Sequence, residues 1–176
     1  MDTYGLAKLI ASVESVDSRK RLQKCVYLLQ LCGCDLGADY RLHYYGPYSR
    51  DVADAVDLLA QSDILDESST PSRMGERYSY RIKDHGQLLL ANYEATDEGE
   101  KALERIEPFV SRFQQLNGMA LRTLELASTI AFYYNSSSCS TWEEAQAKAA
   151  EFKRVRTNST VLTEAGRIAK EFDKAA

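Results

Sequence analysis

HYYGPYSRDVADAVDLL, residues 43–59, is the stretch on which the fold turns. Tyr44, Tyr45 and Tyr48 crowd a Gly-Pro turn. Ser49 comes next and suits a helix N-cap, because its hydroxyl can accept a hydrogen bond from an unpaired first-turn amide. Val52, Ala55, Val56 and Leu59 then recur at i, i+3, i+4 and i+7, the apolar face of a helix that runs to about residue 61.

Upstream, residues 3–15 read as a helix with Leu6, Leu9, Ile10 and Val13 inward. Residues 16–18 are a break in which Asp17 or Ser18 can cap the next helix. That helix, residues 19–32, carries the stripe Leu22, Cys25, Val26, Leu29 and Cys32 and stops at Gly33, a natural residue just past a helix end. Residues 40–45 alternate like a short strand, Tyr40, Leu42 and Tyr44 against Arg41, His43 and Tyr45. Downstream, residues 66–76 are rich in serine, proline and glycine and read as an exposed, mobile loop. Residues 77–83 alternate, with Tyr78, Tyr80 and Ile82 on one face and Arg77, Ser79, Arg81 and Lys83 on the other. A turn at 84–86 and a second strand over 87–93 complete a β-hairpin. Thr96 caps a helix over 97–106. Helix, helix, short strand, helix, hairpin, helix is the order of a winged helix-turn-helix.

Beyond this point the pattern is helical. Pro108 starts or kinks a helix over 109–116, and Asn117-Gly118 breaks it. Residues 119–134 are apolar around a wide arc that needs cover on more than one side. Thr141 with Glu144 forms a capping box for residues 142–155, and a last helix spans about 160–172. The expected fold is mainly α with a small β-hairpin, in the α+β class: a winged-helix domain over residues 1–106 and a helical extension over 107–176. The apolar arc of 119–134 raises the expectation of a homodimer through the C-terminal helices, unless 142–155 and 160–172 cover it within the chain.

Composition narrows the function. The 176 residues are 44% hydrophobic and 27% charged, as in a folded, water-exposed protein. The net charge of −4 argues against a large phosphate-contacting surface. No apolar run approaches the roughly 20 residues of a membrane span, and residues 1–8 lack a basic-then-apolar leader, so the expectation is a cytoplasmic protein without a membrane role. The four cysteines then read as free thiols. Cys32-x-Cys34 has no second pair at zinc spacing, so no metal and no cofactor are expected. Ser49 lacks a nucleophile elbow, there are two histidines, and no phosphate-binding loop occurs. No catalytic residue emerges, and the chain reads as a non-enzyme.

KRLQKCVYLLQ at 20–30, HYYGPYSRDVADAVDLLAQSDIL at 43–65 and YEATDEGEKALE at 93–104 resemble bacterial winged-helix proteins of the Panacea-domain type and their uncharacterised relatives. The shared pattern is a Leu-Gln-Lys helix, a Tyr-Gly-Pro turn, a third helix ending in an aliphatic pair, and a Thr-x-x-Gly helix start. It covers about residues 19–104. The resemblance implies a phage-associated, antitoxin-like regulatory protein that acts by binding a protein partner, with DNA binding as the alternative.

Charge decides between those partners. The third helix would enter a DNA groove, yet it carries Arg50 against Asp51, Asp54 and Asp57, and phosphate attraction dominates affinity for DNA. A protein interface centred on Tyr45, Tyr48, Arg50, Asp54 and Asp57 is therefore expected first. Nucleic acid would have to use Arg19, Lys20 and Lys24 on the second helix, with Arg77, Arg81 and Lys83, and Arg73 beside them, on the wing.

Overall fold

The computed structural model describes residues 1–72 and 75–173, with only the backbone of Ser72; Arg73 lies outside the described residues. The protein is mainly helical with a small antiparallel sheet. Helix α1 (Thr3–Ala11) is capped by Asp2, whose carboxylate accepts from the Gly5 amide at 2.8 Å. It stops earlier than its pattern suggested, because the chain leaves to form β1 (Val16–Asp17), antiparallel to a later strand. Ser18 then caps α2 (Arg19–Leu31). Eight consecutive residues of α2, Leu22 to Leu29, are buried, so this helix is enclosed on every side. Arg21 donates to the carbonyls of Asn117 and Met119, capping the end of a neighbouring helix.

The expected strand over 40–45 divides into a tight hairpin, β2 (Arg41–His43) and β3 (Gly46–Tyr48), with Tyr44 and Tyr45 at its tip. Ser49 caps α3 (Arg50–Gln61), which buries Val52, Ala55, Val56 and Leu59 as its spacing required.

Two expectations are corrected next. The described residues of the expected loop, 66–72 and 75–76, are strand: β4 (Leu65–Ser72) pairs residue for residue with β5 (Gly75–Ile82), from Leu65↔Ile82 to Ser72↔Gly75. Residues 87–93 do not form a strand. They belong to α4 (Asp84–Glu94), which buries only Gly86 and Leu90. The hairpin therefore precedes its expected position by one strand, and the sheet order is β1-β5-β4.

The expected helices over 97–106 and 109–116 are one helix, α5 (Asp97–Gly118), with Pro108 inside it. The division between residues 106 and 107 falls within α5, and side chains from both sides of it share one hydrophobic core. Three helices follow: α6 (Leu121–Asn135), α7 (Trp142–Phe152) and α8 (Thr160–Glu171). Half of the capping box forms: Thr141 accepts from the Glu144 amide, but the Glu144 carboxylate accepts from Ser140. The broad apolar arc of α6 is covered by α2, α7, α8 and β3. That cover removes the ground for a dimer on this face.

The Thr-x-x-Gly start of α5 has a steric cause. Thr96 caps the helix through the Gly99 amide, and a β-carbon on Gly99 would lie 1.8 Å from the carbonyl oxygen of Tyr93. Gly99→Ala is expected to destabilise the fold by about 1–3 kcal/mol. Gly118→Ala, where an added β-carbon meets nothing within 4 Å, should be neutral or slightly stabilising. Denaturant unfolding of the two variants side by side checks both.

Candidate functional site

The β2–β3 hairpin is exposed at its tip and fixed at its base. Tyr44 is 77% exposed, Tyr45 47% and Tyr48 42%. Beneath them, the buried amide of Gln23 brackets Ser49: its oxygen accepts from the Ser49 amide and its nitrogen donates to the Ser49 carbonyl, both at 2.8 Å. The buried ammonium of Lys24 donates to the carbonyl of Pro47. Gly46, at φ +93°, lies so close to α6 that a β-carbon would meet the Thr129 hydroxyl at 2.7 Å. That hydroxyl is itself tied to the Glu125 carbonyl. Tyr40 completes the support, donating to the Gln23 carbonyl while its ring packs on Tyr27.

The tip is also embedded in cations. The Lys20 ammonium stands 3.7 Å from the centre of the Tyr45 ring, a close cation–π contact. Lys153, just past α7, reaches the Tyr44 carbonyl at 3.5 Å. Between α2 and the hairpin lies a cavity of about 360 Å³, lined by residues that include Lys20, Gln23, Lys24, His43, Tyr45 and Tyr48. Burial, then the nearby Lys153 and Lys20, pull the Lys24 ammonium down from 10.5 to about 8, against the pull of Glu125. Burial likewise lowers Lys153.

Several expected site residues are spent on structure. Arg19 bonds the Tyr80 hydroxyl at 2.8 Å and Glu67 at 2.9 Å, tying α2 to β4 and β5, and it also reaches Asp57 at 3.4 Å. Lys24 faces inward rather than toward solvent, 2% exposed. At the β4–β5 hairpin, Arg81 pairs with Asp66 at 3.8 Å and Lys83 pairs with Asp63. Arg77 is exposed. Arg50 pairs with Asp54 along α3. The hairpin brings Tyr45 and Tyr48 together beside the start of α3. Of the two expected cation groups, the one on α2 touches the β4–β5 hairpin through Arg19, while Lys24 is buried under the β2–β3 hairpin.

Two of the four thiols offer little reactivity. Burial pushes Cys25 and Cys34 up to about 12, so both stay protonated. Among the described residues no group of three His, Cys, Asp or Glu side chains could hold a metal, and no helix is long and apolar enough to cross a membrane.

The chain is similar to the uncharacterized protein YwgA of Bacillus subtilis (strain 168), 24% identical over 128 residues that span 73% of this chain and 72% of that protein. No protein-family model matches the chain.

The lowered Lys24 proton affinity has a measurable sign. The folded chain binds this proton more weakly than the unfolded chain, so charging Lys24 costs stability below about pH 8, and the cost fades as pH rises toward 10.5. Relative to Lys24→Met, the wild type should gain up to about 2 kcal/mol of unfolding free energy between pH 7 and pH 9.5. Denaturant melts of both proteins across that range check it; a parallel pH dependence in the two would remove Lys24 as the source.

Proposed function

We propose that this is a non-enzymatic regulatory binding protein of the winged-helix type, antitoxin-like in its mode of action, which engages a protein partner through the tyrosine hairpin and the exposed face of α3. The observation that carries the reading is the exposure of Tyr44, Tyr45 and Tyr48 on a hairpin whose base is fixed by buried hydrogen bonds. Tyrosine is a favoured interface anchor because a large amphipathic ring is immobilised at low entropy cost. Tyr48 also lines a small apolar recess with Val52, Ala53 and Val56 of α3, so hairpin and helix make one surface. Along that helix, Leu58 is 53% exposed one turn after Asp54, giving the surface a second apolar point among carboxylates. In the winged-helix reading, β4 and β5 are the wing and α3 is the recognition helix. The wing's Arg81 and Lys83 are already neutralised by Asp66 and Asp63, which favours a protein over phosphate as the partner.

Affinity capture from the cells that make the protein, with and without nuclease, tests this reading. A stoichiometric protein should survive nuclease. Tyr44→Ala with Tyr45→Ala should weaken it by about 30-fold or more while leaving the circular dichroism unchanged. Asp54→Lys with Asp57→Lys should weaken it too, and Arg77→Glu with Arg81→Glu should not. Recovery of specific DNA that is lost in the Arg77→Glu, Arg81→Glu variant would replace the protein-partner reading with a DNA-binding regulator.

A further inference from the structure

The cations beneath the hairpin remain after folding and the tyrosine surface have been accounted for. A second cavity, of about 250 Å³, adjoins Tyr45, lined by Tyr44, by the cations Lys20, Arg122, Lys153 and Arg154, and by one carboxylate, Glu125. Lys20 and Tyr45 form a wall common to both cavities. Among the described residues Arg122 has a carboxylate partner, Glu125 at 3.8 Å, whereas Lys20, Lys24, Lys153 and Arg154 have none within ion-pair distance. Four unpaired cations thus converge in a chain whose net charge is −4.

Folding accounts for single contacts of Lys20, Lys24 and Lys153 with the hairpin, but supplies none of the four with a carboxylate partner among the described residues. The Lys24 ammonium is 2% exposed and carries three protons, one of which goes to Pro47. Lys153 and Lys20 repel it and Glu125 attracts it, with burial and the two lysines prevailing. Arg154 adds a backbone cost. It occupies the left-handed position (φ +51°) of a Schellman turn that ends α7, with Val155 bonded to Ala150 and Arg154 bonded to Glu151. Glycine is the usual residue there, yet this chain has an arginine, and it lines the cleft.

We propose that the cleft is a binding site for a small polyphosphate anion, free or carried on a nucleoside, whose phosphoryl oxygens are received by Lys20, Lys24, Lys153 and Arg154. Lysine and arginine are the usual side chains for such a group, and two adjoining cavities of a few hundred Å³ match a small molecule. A nucleic acid fits less well. The cations converge on a cleft rather than forming a stripe, and the nearby α3 face carries Asp54 and Asp57. A nucleoside would find ring surfaces at Tyr44 and His43, both exposed.

Isothermal titration of the purified full chain at low salt with pyrophosphate, ADP, ATP and sulfate is the test, and it needs no protein partner. Pyrophosphate or a nucleotide should bind saturably below about 1 mM, at least tenfold more tightly than sulfate. Lys153→Ala and Lys20→Ala should each cost about tenfold or more, with thermal unfolding of the unliganded variants confirming that they fold. Tighter binding of ADP or ATP than of pyrophosphate assigns a nucleoside phosphate, and equal binding assigns the free anion. No saturable binding, affinity unchanged in both variants, or tighter binding of a single-stranded oligonucleotide than of every small phosphate would each overturn the proposal. Because partner capture is measured separately, a failure here leaves the tyrosine surface standing, and the reverse holds too.

Discussion

Burial of two polar side chains side by side in the central helix sets much of this architecture. Gln23 and Lys24 sit within a run of eight buried residues of α2. A buried amide or ammonium without partners costs several kcal/mol, so both must find hydrogen bonds, and their strong interactions across the fold are with the backbone at Pro47 and Ser49. Bringing that backbone onto α2 fixes the hairpin. Fixing the hairpin fixes Ser49, and Ser49 is the residue that starts α3. Gly46 supplies the remaining degree of freedom by letting the same backbone lie against Thr129 of α6. Helix α2, the β2–β3 hairpin, α3 and α6 are thus located by one set of polar contacts, while apolar burial around them supplies most of the driving force.

The sequence made some of this legible and hid the rest for identifiable reasons. Helices with a one-sided apolar stripe could be read directly: α3 buries the four residues its period selected. The hairpin of β4 and β5 was misplaced because most of β4 is exposed, and its partner is β5, a ladder that no local pattern in residues 66–72 reveals. Leu88, Leu89 and Leu90 read as a strand because a short apolar run cannot separate strand from buried helix; in α4 only Leu90 is buried. Pro108 suggested a boundary, but α5 continues past it. At the site, the tyrosines were visible. Lys24 was grouped with the basic start of α2, although its place beside Cys25 on a buried helix was the available signal. Lys153 and Arg154 lie more than 100 residues from the hairpin, and only tertiary structure brings them there.

Charge in this protein is partitioned rather than spread. Carboxylates in or beside the β4–β5 hairpin meet Arg81 and Lys83, and Arg19 is held between Glu67 and Asp57. These exposed or half-exposed pairs add little stability individually. What they do is remove positive potential from the surface a winged helix would turn toward DNA. Under the β2–β3 hairpin, Lys20, Lys24, Lys153 and Arg154 collect without ion-pair partners of their own among the described residues, beside the Arg122–Glu125 pair. An acidic protein with this distribution attracts anions at one place and repels them elsewhere.

The two proposed surfaces meet at Lys20. Its ammonium rests on the Tyr45 ring and borders both cavities. A cation held by a ring face alone, with no carboxylate to direct it, is free to exchange that contact for a stronger anionic one. Occupation of the cleft by a phosphate would draw Lys20 away from Tyr45 without moving the hairpin backbone, which Gln23, Lys24 and Gly46 hold. The exposed ring would then gain rotational freedom that a partner must remove on binding. If both proposed surfaces are used, an anion in the cleft would weaken the tyrosine surface by loosening one side chain, and linkage would require that a partner clamping Tyr45 over Lys20 weaken the anion equally.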